Sequence, residues 1–155
     1  MIDAWVANAE REIVGAADAM PEEEYSFAPT QGEFRGVRTF AKQVTHLAAA
    51  NYQLASAILH EWPPHGEQNE TAPASVKTKA EVMEYVRGSF AYLHRAAATI
   101  ASENAVTPIE GLTATQPKTR LGLVVDAVAH AYDHYGQMVE YLRMNGIVPP
   151  ASRSK

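Results

Sequence analysis

The sequence predicts an all-α protein, an antiparallel four-helix bundle, and three observations carry that expectation. Four segments place apolar residues at steps of three and four. No segment alternates apolar and polar residues as a half-buried strand does. Between the four, clusters of Pro, Gly, Thr and Glu break the pattern. A chain of 155 residues fits one domain, residues 1–155, and at that size buries about 68 to 70% of its unfolded surface, so the core needs no staple.

The first helix is expected from about Ile2 to Met20, with Trp5, Val6, Ala9, Ile13 and Ala16 on one stripe and Pro21 ending it. In the polar connection PEEEYSFAPTQGEFRGVR, the aromatic residues Tyr25, Phe27 and Phe34 are expected to fold back over the core. Thr39 is a suitable N-cap for the second helix, whose Phe40, Val44, Leu47, Ala48, Ala55 and Ile58 form its apolar face and which Trp62, Pro63 and Pro64 stop. The connection PPHGEQNETAPASVK is long, and structureless loops of that length are often functional, so it is expected to overhang a site.

Thr78 followed by Glu81 is a capping-box pattern opening the third helix, which continues through Val82, Val86, Phe90, Leu93, Ala97 and Ile100 to near Ser102. One short turn is expected in TPIEGLTATQPK. Thr119 then caps a fourth helix from Arg120 to Asn145, with Gly146 as its stop. All three connections are longer than minimal hairpin loops.

Composition narrows the function classes. The net charge is −5 and the 13 Lys and Arg are scattered, which lacks the basic footprint of a nucleic-acid binder. Cysteine is absent, excluding disulfides, thiolate ligands and a cysteine nucleophile, so any thiol chemistry needs an external thiol. MIDAWVANAEREIVG mixes charges into its apolar positions and does not read as a signal peptide. No apolar run approaches the roughly 18 residues of a membrane span. A soluble, cytoplasmic protein is expected.

There are six histidines. His130 and His134 stand one helical turn apart, so both imidazoles can reach one object. The main apolar arc of the fourth helix is read as Leu121, Val124, Val125, Val128, Tyr132, Tyr135, Val139 and Leu142, with the two histidines on its border. By spacing alone the pair reads first as two partly exposed surface histidines. His46 on the second helix is flanked by Ala49, Ala50, Gln53 and Ala57, which leave room for an imidazole to act as a ligand, and it reads equally as a solvent-facing residue.

Three neutral imidazoles from two facing helices would make a site with an open position, the pattern of catalytic zinc. Imidazole also suits nickel, iron and copper. Asp126, one turn before His130, and Gln137, three residues after His134, are candidates to orient the rings, whereas Asp133 reads as a solvated charge. His94 reads as a hydrogen-bonded core histidine, and His60 and His65 as exposed loop residues, His65 on a loop able to move over the site. Gly136 inside the fourth helix is expected to admit close approach by another helix or subunit. Tyr132, Tyr135, Tyr141 and Asn51 read as core residues with satisfied polar tips.

VRTFAKQVTHLAAANYQLASAIL around His46 and AVAHAYDHYGQMVEYLRMNGIVPP around His130 and His134 resemble the DinB-like (DinB/YfiT-like) family of metalloenzymes. The resemblance covers nearly the whole chain in element order and length. It rests on one histidine in the second helix, then HxxxH followed by GQ and a terminal YLRxxGxxPP. It implies a four-helix bundle, often a homodimer, with a metal held at the positions matched by His46, His130 and His134. Some relatives in the resemblance are thiol-dependent S-transferases using bacillithiol or mycothiol, and one branch isomerises maleylpyruvate with mycothiol.

Together these readings predict a metal-dependent enzyme acting on a small molecule. Zinc or nickel is the leading metal, iron or manganese a further option, with a low-molecular-weight thiol as possible co-substrate. Two alternatives stay open: a metal-assisted hydrolase, and a noncatalytic dimeric bundle that binds a metal or small molecule in a stress response. Neither nucleic acid nor membrane is an expected partner.

Overall fold

The computed structural model describes residues 2–67, 69–110 and 119–153. Four helices account for most of them: α1 (Ile2–Ala19), α2 (Phe40–Leu59), α3 (Lys79–Ala98) and α4 (Arg120–Met144). The all-α four-helix bundle read from the sequence is the architecture that forms, with α1 antiparallel to α3 and α2 antiparallel to α4. α2 packs against α3 and α4, and α1 packs against the same two, so α1 and α2 occupy opposite corners. None of the described helices is long and apolar enough to cross a membrane.

The helix starts follow the caps. Thr39 Oγ1 accepts from the Lys42 N–H at 3.3 Å, and Thr119 Oγ1 accepts from Gly122 N–H at 3.1 Å. The Thr78 and Glu81 side chains bond each other's backbone N–H groups in a complete capping box. The stops are more varied. α4 ends in a Schellman motif, in which Gly146 at φ +71 lets Ile147 N–H reach Leu142 O and Gly146 N–H reach Arg143 O. α2 ends before the Trp62-Pro63-Pro64 break, because His60 turns into the left-handed region at φ 55. α3 stops at Ala98 rather than near Ser102, with Asn104 Nδ2 donating to Thr99 O at 2.9 Å.

Interhelical caps fix the helix directions. Lys79, the first residue of α3, donates through Nζ to Asp18 O and Met20 O at 2.7 and 2.8 Å, satisfying carbonyls at the end of α1. Arg120, the first residue of α4, likewise donates to Ile58 O at the end of α2. Each pair therefore runs antiparallel. Phe40 N–H bonds Phe27 O, and Tyr25 OH donates to Ala17 O at 2.8 Å, which puts the start of α2 beside the end of α1. α2 and α3 thus leave from the same end of the bundle, and the connection between them must travel back along its length.

The core is built from Phe40, Phe90, Ile13, Leu47, Ile58, Leu93, Leu123, Met138 and Leu142, all fully buried, each contributing about 1.5–3 kcal/mol by leaving water. Of the three aromatic residues in the first connection, Tyr25 is buried edge-on against Phe40 and Phe27 packs edge-on against Tyr141, whereas Phe34 stays exposed. The expected short turn in residues 107–118 falls mainly on residues 111–118, outside those described; Pro108 and Thr119 on either side form an isolated antiparallel bridge.

Two sequence expectations are corrected here. The buried face of α4 is Leu123, Val124, Ala127, Ala131, His134, Met138, Tyr141 and Leu142, rotated from the predicted arc, and Val125 and Tyr132 are 42% and 45% exposed. Two alanines, Ala127 and Ala131, belong to that buried face. Gly136 is exposed, and a Cβ there would meet nothing within 4 Å, so no other helix of this chain approaches it.

His94 ties α1 to α3 through Asp3 Oδ1 at 2.5 Å and Glu10 Oε2 at 3.1 Å. Burial opposes its protonation, but the hydrogen bonds to the two carboxylates outweigh it and hold the pKa above the ordinary 6.5. A folded-state pKa raised in this way stabilises the fold fully below the unfolded value, and the effect is lost as pH rises through the folded value. The stability gap between wild type and His94→Gln, measured by urea unfolding, is therefore expected to be widest below about pH 6 and to shrink steadily on the alkaline side. Gly136→Ala is expected to stabilise the fold by about 0.5–1 kcal/mol through helix propensity. A lowered urea midpoint would mean that something outside the chain packs on that face.

Candidate metal centre

α2 and α4 cross in antiparallel register, and three side-chain contacts record it: Tyr141 OH to Arg38 O at 3.0 Å, Gln43 to Gln137 at 2.8 Å, and His46 beside His134. His46 and His134 are therefore level with one another. His130, one turn earlier on α4, completes the group. The ligand atoms of His46, His130 and His134 all lie within 4.8 Å of one another. The rings meet edge to face, with centroids 4.5 to 5.2 Å apart.

A hydrogen bond from the facing helix settles which nitrogen of His134 points inward. His134 Nδ1 lies 2.6 Å from Gln43 Oε1, an acceptor, so Nδ1 carries the proton and Nε2 faces the cluster with its lone pair. His46 Nδ1 lies 3.2 Å from Glu70 O, and its Nε2 lies 3.4 Å from a Glu70 carboxylate oxygen. His134 Nε2 and His130 Nε2 stand 2.9 Å apart. A proton of the neutral His130 ring or a cation bridges that gap, and the three ligand atoms are close enough together to hold a metal ion.

Electrostatics favours the neutral rings. His134 is 3% exposed, and burial first, then the neighbouring His130 and His46, lower its pKa to about 4. Burial first and His46 second also lower that of His130, with Glu70, Asp126 and Asp133 offsetting part of the effect. At neutral pH both rings are unprotonated, the form that binds a metal.

The proposed orienting residues take different places. Asp126 is half-buried, and no hydrogen bond joins it to either ring among the described residues. Gln137 acts at one remove: its Oε1 accepts from Gln43 Nε2 at 2.8 Å, and its own Nε2 donates to Asp133 Oδ2 at 3.1 Å. Asp133 is exposed, and it anchors that chain. Gln43, buried to 1%, is the residue sequence reasoning missed. It sits on the Phe40 and Leu47 face of α2, and a polar residue within a buried stripe was the available signal.

Glu70 was also missed, since loops carry no periodicity. Its carboxylate lies 3.4 Å from His46 Nε2. Asn69 and Glu70 are consecutive non-glycine residues at φ 52 and 53, a costly conformation for L-residues. With its amide turned so that the oxygen faces the loop, the Gln53 side chain accepts from both their N–H groups, at 3.1 and 2.9 Å. The connection between α2 and α3 thus overhangs His46 as its length suggested. His65 lies elsewhere, edge-on against Tyr52 and Tyr85, and His60 bonds Arg120. Tyr135 OH donates to Glu12 and Tyr132 is exposed. Asn51 Nδ2 donates to Ser89, but its buried Oδ1 has no partner among the described residues, contrary to the expectation of a satisfied tip.

Gln43→Leu leaves His134 Nδ1–H and Gln137 without their buried partner. It is expected to cost about 1–3 kcal/mol in urea unfolding at neutral pH, because a buried unsatisfied donor forfeits its full desolvation penalty. A loss indistinguishable from zero would show that Gln43 does not hold the ring.

No curated protein matches the chain. A family model described as the DinB superfamily matches residues 6–138, a span that holds α2 and α3 whole, most of α1 and α4, and each histidine of the cluster. The chain belongs to the DinB superfamily.

Proposed function

We propose that the chain is a metal-dependent enzyme that holds a divalent transition metal, zinc or nickel first, through His46, His130 and His134, and transfers a group to or from an external low-molecular-weight thiol. One observation carries the metal reading: three imidazoles with ligating atoms within 4.8 Å, two of them with Nδ1 already committed to an oxygen acceptor. A divalent ion at such a site lowers the pKa of a bound thiol or water and polarises a carbonyl. The chain's own work is positional. His134 is held by Gln43, His46 by the Glu70 carbonyl, and the overhanging connection shields the His46 side from bulk water. The absence of cysteine leaves the thiol to come from outside, and S-transfer in particular rests on likeness to relatives.

A second reading, metal-assisted hydrolysis, is favoured by Glu70. Its carboxylate, 3.4 Å from His46 Nε2, is placed to take a proton from an attacking water.

Protein purified without a His-tag is expected to carry about one transition-metal ion per chain by elemental analysis, following from one three-histidine site. His130→Ala is expected to weaken metal binding by about 100-fold or more, beyond the loss typical of an orienting residue. Wild-type protein with only trace metal, together with a His130→Ala variant of unchanged metal uptake, would end the proposal. A generic electrophile assayed with several cellular thiols, beside an ester panel, separates transfer from hydrolysis. Activity that persists in His46→Ala counts against both mechanisms.

A further inference from the structure

Beside His46 lies a cavity of about 350 Å³, walled on α2 and its entry by Arg38, Lys42, Thr45 and His46, and covered by Glu70 and its neighbours in the α2–α3 connection. That volume suits a small molecule. The chain as a whole is acidic, at −5, yet this wall carries two cations. Neither Arg38 nor Lys42 pairs with an acid among the described residues, where every ion pair uses other side chains. The one carboxylate in the wall, Glu70, faces His46 Nε2 instead.

Position adds to charge. Lys42 precedes His46 by four residues, so the two share a helix face about 6 Å apart along the axis. Arg38 is held at the mouth by its backbone, through Tyr141 OH donating to its carbonyl at 3.0 Å. A ligand spanning from His46 to Lys42 is therefore short, with two or three bonds between its reacting atom and its charged end.

We propose that this cavity receives the carboxylate of a small substrate, held by Lys42 and Arg38, and places the reacting atom one helical turn further on at His46. The site of reaction rests on the metal reading above, whereas the carboxylate subsite is built from residues outside the three histidines. Its chemistry selects anionic substrates over neutral analogues of the same shape. The carboxylate belongs either to the thiol or to its reaction partner, and both sources give the same two contacts.

The test is an NMR titration of ¹⁵N-labelled full-length protein, with and without added zinc, using 3-mercaptopropionate, propionate and 2-mercaptoethanol as probes. The amides of Lys42, Thr45 and Thr71 are expected to shift saturably with both carboxylates, at concentrations about tenfold below those needed for 2-mercaptoethanol, since two exposed cations each contribute modestly. The preference is expected to fade in about 0.5 M salt, where screening is strong. It is expected to vanish in the Arg38→Gln/Lys42→Gln variant, whose substitutions are exposed and leave the amide spectrum otherwise unchanged. With zinc present, tighter binding of 3-mercaptopropionate than propionate assigns the carboxylate to the thiol, and equal binding assigns it to the other substrate. Equal affinity for charged and neutral probes, or a preference that survives the double variant, would overturn the inference. Zinc that fails to bind while the carboxylates still shift these amides would overturn the metal reading and leave the subsite standing.

Discussion

An imidazole buried between packed helices must give its second nitrogen a partner, and the centre of this bundle is arranged around that demand. His134 is nearly inaccessible, and an unpaired polar group at such a place costs about 1–3 kcal/mol. Gln43 meets the demand from the facing helix, Gln137 holds Gln43, and Asp133 holds Gln137 at the surface. The run of hydrogen bonds leads from a buried ring to solvent, and every member keeps its amide oriented by the next. Because the first bond protonates Nδ1, it also decides that Nε2 faces His130 and His46.

Room for three rings comes from small neighbours. Ala127 and Ala131 on α4, and Ala49 and Ala50 on α2, each within about one helical turn of a cluster histidine, are buried, and their short side chains leave space for the imidazoles. The larger apolar residues of α4, Val125 and Tyr132, stand outside this face. Burial then does electrostatic work as well. With three rings close together in a poorly solvated place, protonation of any one is opposed by the interior and by its neighbours, and the donor set stays ready for a cation.

Chain direction explains the long connection over the site. Since α2 and α3 start from the same end of the bundle, the intervening segment has to run back past the length of α2, and in doing so it passes His46. Gln53 grips it by two N–H groups, and the left-handed pair Asn69 and Glu70 turns a carbonyl and a carboxylate toward the same imidazole. A connection required by topology thereby becomes the roof of a cavity whose floor carries Arg38 and Lys42.

Sequence by itself determined the four helices, because period-3.6 patterning and the caps Thr39, Thr78 and Thr119 act within a few residues of chain. It also determined which three histidines merit attention, since their spacing and the family likeness are both linear properties. The inward face of α4 differs from the apolar arc, because the small Ala127 and Ala131 and the polar His134 are buried while the bulkier Val125 and Tyr132 are exposed. Only the tertiary structure decided that His46 stands level with His134, that Gln43 rather than Asp126 orients a ring, and that Glu70 reaches the cluster from a loop. Those relations join residues from 24 to 94 positions apart, and contacts across such distances depend on helix direction and register, which no local pattern encodes.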